Sequence, residues 1–201
     1  MGRSKQYDRT ELLDRAVELF RRRGFNGTST AELVDELGVN RKSMYAEFGS
    51  KQELFEAALE HYDRNHLTRV LAPIEAADAG LDAIRQAFAG YASASEGWFR
   101  GRGCLMCNTA LERGALDPAS GRFAAAYLSR INRAFRHALE NGRRSGDLDE
   151  TADLDEMAAF FTTLLIGVAA SIRAEAPPEQ LHATSRAVSS NLDMHQSTTR
   201  R

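Results

Sequence analysis

Apolar residues recur along this chain at three- and four-residue spacing almost from end to end, and that period predicts helices in series. From about Asp8 to Arg23, Leu13, Ala16, Val17 and Phe20 fall on one stripe. Gly24 follows, where a helix end tolerates left-handed backbone. Ser29, with Glu32 three residues on, makes a capping box for a second helix faced by Leu33, Val34 and Leu37. Gly38 closes it. Asn40 suits the cap of a third helix, in which Val39, Met44 and Phe48 turn inward. Arg41, Lys42, Ser43 and Tyr45 then face out. Ser50 with Glu53 opens a fourth helix, striped by Leu54, Phe55, Ala58, Leu59 and Tyr62 and expected to end before Pro73. Later helices are expected at about Gly80–Ser95, Cys104–Arg113, Ala119–Arg144, Ala152–Ala176 and Glu179–Leu192, with an irregular Gly97–Gly103 between the first two.

Period-two runs of Val, Ile and Thr are nearly absent, and the four prolines are Pro73, Pro118, Pro177 and Pro178. The fold class expected is all-α. The helix, tight turn and helix across Ser29–Phe55 form a helix-turn-helix unit with its follow-on element. The expected division is a helix-turn-helix domain over 1–51, a helical domain over 52–194 and a frayed tail over 195–201. The Ala152–Ala176 helix carries Leu154, Met157, Phe160, Phe161, Leu164, Leu165, Val168 and Ile172, so it is apolar nearly all round. Such a helix is buried on more than one side, and a second subunit would cover the other side. A homodimer is therefore expected, with a charge at Leu165 or Val168 giving monomers or insoluble protein.

The formal net charge of -2 gives no sign of a nucleic-acid binder. Its placement does: residues 1–51 hold ten Lys/Arg against eight Asp/Glu, and the remainder sixteen against twenty. Arg41, Lys42 and Lys51 lie near the outward face of the third helix. The N-terminus lacks the apolar segment of a signal peptide. No uninterrupted apolar run reaches the roughly 18 residues of a membrane span. Gly2 is followed by Gln6, where an acylation motif wants Ser or Thr. Two cysteines without a secretion signal point to reduced thiols in a cytoplasm.

The framework AVELFRRRGFNGTSTAELVDELGV, the segment MYAEFGSK and the acidic and apolar start of the fourth helix resemble the TetR/AcrR family of bacterial transcriptional regulators. GCLMCNTALE looks like the GCL-x-x-N-x-A-x-E stretch of one branch of that family. The resemblance implies an N-terminal three-helix DNA-binding domain. It also implies a C-terminal helical domain that binds a small molecule and dimerises through its last two long helices. The usual logic is repression relieved by the small molecule. Glu47 departs from the pattern, since many members carry a non-acidic residue there. An acid would repel phosphate, so Glu47 is expected to point away from the DNA backbone or to discriminate bases.

Within that frame Asn40, Arg41, Lys42 and Ser43 are the candidates for major-groove readout, Arg and Lys being able to contact guanine O6 and N7. The alternative is an exposed polar helix face. Tyr45 and Lys51 match family positions that touch phosphate, and Thr28 and Thr30 offer hydroxyls or N–H groups for the same purpose. Tyr45 has a competing role in packing beside Met44. The Arg21, Arg22 and Arg23 run is a weaker candidate for phosphate contact, against a solvated helix end. Candidate effector-pocket residues are Tyr62, His66, Phe88, Tyr91, Trp98, Phe99, Cys104, Cys107, Asn108, Leu111, Phe123, Tyr127 and Phe161. Ordinary bundle core competes for each of them. Asn108 is singled out because a buried amide needs a partner, in protein or ligand. Cys104 and Cys107 share a helix face, which permits a thiol switch or electrophile sensor, against two small buried apolar residues. His61 and His66 miss the i, i+4 metal spacing, and no cofactor is implied. An enzyme has no supporting motif. The partners expected are operator DNA, a small effector and a second copy of the chain, with no membrane.

Overall fold

The computed structural model describes residues 7–97, 99–112 and 118–196. Helices run in the order α1 (Arg9–Arg23), α2 (Thr30–Leu37), α3 (Arg41–Phe48) and α4 (Lys51–Tyr62), followed by a wider π-helical turn at Asp63–Leu67. Then come α5 (Thr68–Glu75), α6 (Leu81–Ala94), α7 (Leu105–Leu111), α8 (Pro118–Arg144), α9 (Leu154–Arg173) and α10 (Pro178–Met194). Among the described residues no strand forms; Leu148 and Gln196 make an isolated bridge.

Two compact units divide the chain. The first takes in the chain up to Thr68 together with Leu105–Ala124. The second takes in Arg69–Cys104 and the chain from Ala125 onward. The unit holding the helix-turn-helix therefore also contains α4 and α7. Residues 197–201 of the expected tail lie outside the described residues, but His195 is tied in, its carbonyl accepting from the Asp149 N–H at 2.9 Å.

The caps explain where the first helices begin. Asp8 accepts from Thr10 N–H, Ser29 makes a full capping box with Glu32, and Asn40 accepts from Ser43 N–H at 2.8 Å. Ser50 accepts from Glu53 N–H. Each such cap is worth about 1 kcal/mol. Gly38 ends α2 in the left-handed region at φ 66, which sets the tight turn into α3. Beneath these helices Phe20, Phe25 and Phe55 cluster, with Phe55 4.8 Å from Phe20 and 4.9 Å from Phe25 between ring centroids.

Helix continues through Pro73, contrary to the stop expected there. A proline removes one backbone donor. The carbonyl it leaves free four residues back is that of the exposed Arg69. The π-helical turn just before it shifts the helical register, with the Thr68 hydroxyl donating to Asp63 O at 3.1 Å.

In the second unit Phe88, Phe135 and Phe161 pack together, each pair about 6 Å apart between centroids. By length and composition α9 could cross a membrane. Its Leu154, Met157, Phe161, Leu165, Val168 and Ile172 are instead buried in this unit. Leu165 and Val168 face inward, so a charge there would strike the chain's own core and would not report on a subunit interface. The outward stripe is Ala159, Phe160, Thr163 and Gly167, with Phe160 48% exposed.

Candidate nucleic-acid interface and effector cavity

The outward face of α3 starts from its cap. Asn40 spends its side-chain oxygen on the Ser43 N–H, which fixes the first turn and leaves Arg41 and Lys42 exposed. Arg41 stacks over the Tyr45 ring, 5.6 Å from its centroid. A hydrogen bond with Thr30 and another with Arg41 hold the Tyr45 hydroxyl below its ordinary phenol value. Thr30 and Arg41 also border a shallow hollow with Ala31, Val34 and Asp35. The start of α2 and the first turns of α3 thus form one polar face, with Thr30, Asn40, Arg41, Lys42, Ser43 and Tyr45 on it.

Two candidates leave that face. Thr28 is 1% exposed, and its hydroxyl donates to Gly24 O at 2.6 Å, so its side chain braces the α1–α2 turn and is closed to phosphate. Lys51 lies half-buried with its ammonium 4.1 Å from the Phe25 ring centroid. Burial lowers its pKa, against the opposing pull of Glu112 and Glu32. Glu47 points toward α1, 3.4 Å from Arg9 and within reach of the Tyr7 hydroxyl at 3.5 Å. An acid is tolerated there because it faces the protein.

The arginine run has structural work. Arg22 pairs with Glu36 at 2.8 Å and Arg23 pairs with Glu32, tying α1 to α2. Arg21 is fully buried, 3.0 Å from Glu18 and with its guanidinium over Tyr62. The solvated helix end expected from the sequence holds only for its last two residues.

An apolar cavity of about 360 Å³ lies in the second unit. Val70, Leu71, Pro73 and Ile74 of α5 wall one side, and Ala83, Gln86, Ala87, Gly90, Tyr91 and Ala94 of α6 another. Phe99, Ile131, Phe135 and Leu165 complete it. Among the described residues no charged side chain lines it. Of the expected pocket residues, Tyr91 and Phe99 are in the lining. Phe88 and Phe161 are core rings beside Phe135. Tyr127 is buried, its hydroxyl 3.5 Å from that of Tyr91 and 3.7 Å from the Cys104 sulfur. Cys104 and Cys107 are both buried.

Tyr62, His66, Asn108, Leu111 and Phe123, like Cys107, belong to the first unit. Tyr62 is buried and stacks on His66 at 5.3 Å. His61 is occupied by Asp14 at 2.6 Å and by Asn65. Asn108 donates to Arg21 O at 3.4 Å. Leu111 is 61% exposed, and Phe123 is half-buried. Trp98 lies outside the described residues. The sequence list favoured large aromatic rings, whereas a cavity opens where side chains are small. The signal for it was Ala83, Ala87, Gly90 and Ala94, spaced along one face of α6.

Two family profiles match the chain: "Bacterial regulatory proteins, tetR family" over residues 12–58, and "Tetracyclin repressor-like, C-terminal domain" over residues 80–188. The chain belongs to the TetR family. As a TetR-family protein it is a DNA-binding transcriptional regulator. It is 32% identical over 161 residues to the uncharacterized HTH-type transcriptional regulator YezE of Bacillus subtilis (strain 168), covering 80% of this chain and 83% of that one. It is 30% identical over 184 residues to the HTH-type transcriptional repressor ComR of Escherichia coli (strain K12), covering 90% and 86%. The TetR family regulator CifR has been solved as a cysteine mutant with 26 bp double-strand operator DNA. That structure overlays with a TM-score of 0.80 at 28% identity, over 92% of this chain and 97% of that one.

Proposed function

We propose that this TetR-family protein is a homodimeric repressor, released from a near-palindromic operator by a neutral, largely apolar molecule. The observation that carries the reading is the cavity of about 360 Å³, lined by apolar side chains and no charged one. An ionised ligand would lose its hydration there with nothing to offset the loss. Gln86 and the Tyr91 hydroxyl supply the few polar groups that orient a ligand in an apolar site. An aromatic or alicyclic molecule with one hydroxyl or carbonyl fits that chemistry.

Arg41, Lys42 and Ser43 would enter the major groove while Thr30 and Tyr45 meet phosphates. Repression is supported by the similarity to the repressor ComR, and operator binding by the likeness to CifR on its operator. Acting on DNA, it would work in the cytoplasm. Dimerisation would use the outward stripe of α9 and that of α10, where Ala183, Ala187, Ser190 and Met194 are exposed. Small residues there allow close helix approach, and a two-fold dimer matches a palindrome. The effector must bind the two arrangements of the dimer unequally, or it shifts nothing.

The thiol-based alternative, an electrophile or oxidant sensor at Cys104 and Cys107, has less support, because both sulfurs are buried. The test is a reporter and thermal-shift screen of neutral aromatic and alicyclic compounds. A compound that stabilises the protein should lower operator affinity over the same concentration range, and should do so in the Cys104→Ser, Cys107→Ser double variant. Stabilising compounds that never alter DNA binding would defeat the effector reading. Loss of the response in the double variant would favour the thiols.

A further inference from the structure

Asn108 and Glu112 stand in the GCLMCNTALE stretch, and both reach back to the start of the helix-turn-helix. Asn108 Nδ2 donates to Arg21 O, a carbonyl of the last turn of α1. The Glu112 carboxylate accepts from Phe25 N–H at 2.9 Å, from Asn26 N–H at 3.3 Å and from Asn26 Nδ2 at 3.4 Å. These are groups that a helix end and the turn after it leave without intrahelical partners. The approach is close: a Cβ at Gly24, which sits at φ 75, would overlap the Glu112 carboxylate. Gln52 of α4 adds a further tie, donating to Ser120 Oγ at 2.6 Å. All of these residues belong to one compact unit.

The turn they hold sets the entry into α2. Thr28 and Ser29 follow at once, and Thr30 borders the hollow it shares with Arg41 of α3. Phe25, whose N–H Glu112 holds, also carries the Lys51 ammonium on its ring. One carboxylate from outside the three-helix domain thus reaches both the α1–α2 turn and the neighbourhood of Lys51.

We propose that Asn108 and Glu112 are positioning residues for DNA recognition, clamping the Gly24–Asn26 turn so that α2 and α3 present their polar face as a rigid piece. The inference rests on the reading face proposed above. Simple electrostatics predicts the opposite sign for Glu112. Removing an acid beside Lys51 should draw any DNA closer, whereas loss of a clamp should weaken the specific complex alone.

The test uses the full chain and two duplexes, one selected by the wild-type protein from a random-sequence pool and one of the same length with that sequence scrambled. Affinities are referred to active protein by stoichiometric titration. Glu112→Ala is expected to bind the selected duplex about tenfold more weakly, with affinity for the scrambled duplex unchanged or higher. Glu112→Gln keeps one acceptor oxygen and should recover part of the loss. It also serves if the alanine variant does not fold. Tighter binding to both duplexes, or unchanged binding with only a lowered melting temperature, would overturn the proposal. Arg41→Ala with Lys42→Ala runs alongside: if that pair leaves binding intact, the reading face is misplaced, and if it alone abolishes binding, the clamp fails while the face stands.

Discussion

Gly90 offers a direct test of the effector cavity. It lines the cavity in α6, and a Cβ built on it meets nothing within 4 Å. Replacing glycine inside a helix recovers about 0.5–1 kcal/mol. Burying a leucine side chain contributes roughly 1.5–3 kcal/mol, less where the cavity is open to solvent. Gly90 is exposed, so little of the leucine burial is realised and Gly90→Leu should stabilise the free protein by about 1 kcal/mol. At about 2–4 °C per kcal/mol for a chain of this size, the melting temperature should rise by about 2–4 °C. The four added carbons, at roughly 30 Å³ each on the scale of liquid water, take up about a third of the space. What remains falls below the roughly 300 Å³ at which ligand pockets begin. Response to an inducer should then weaken by tenfold or more, while operator binding without inducer stays at wild-type strength. Gly90→Ala is the control, with the helix gain and little loss of space. Circular dichroism melts at fixed protomer concentration and anisotropy titrations with operator DNA read both quantities. A lowered melting temperature for Gly90→Leu, or an unchanged inducer response, would refute the cavity as the effector site.

Arg41→Ala and Lys42→Ala should each cost about 1–3 kcal/mol of operator binding without changing the melting temperature, measured by anisotropy against specific and scrambled duplexes. Phe160→Glu should yield a folded monomer in analytical ultracentrifugation, whereas Leu165→Glu should lose folded protein, because Leu165 faces the cavity; matching behaviour in the two would disprove the assignment of the α9 faces. His66 is held below its ordinary pKa of 6.5, first by burial and next by repulsion from Arg21 and His61, against attraction from Asp14 and Glu18. The folded chain then binds fewer protons than the unfolded one, so stability from this group is present above about pH 6.5 and falls as pH drops below it. The difference in melting temperature between wild type and His66→Gln should change across that window, and a difference flat with pH would count against the burial of His66.

Helix starts were legible because a cap is a local device. Ser29 with Glu32, Asn40 with Ser43 and Ser50 with Glu53 each act over three residues, and all three form. The outward face of α3 followed from period alone. The side-chain contacts of Lys51 and Thr28 were not legible for a different reason: both sit at helix starts, where period does not say which way a side chain turns. Thr28 turns back to Gly24 O, and Lys51 settles on Phe25, a residue placed there by the turn after α1. No spacing rule encodes either contact.

Asn108 shows how one premise points to two partners. A buried amide among apolar neighbours does need a partner, and an effector was the partner suggested by its surroundings in the sequence. Helix ends make the same demand from the other side. The last turn of α1 exposes carbonyls and the turn after it exposes N–H groups, and these need polar atoms from somewhere. The donor on Asn108 and the acceptor on Glu112, four residues apart and so on one helical face, answer those two needs at Arg21 O and at Phe25 and Asn26 N–H. Asn108→Leu would therefore be a poor probe of effector binding. It removes a contact within the DNA-reading unit, and its effect should appear first in operator affinity measured without any inducer. If operator affinity is unchanged in Asn108→Leu and only the inducer response is lost, the amide serves the effector after all.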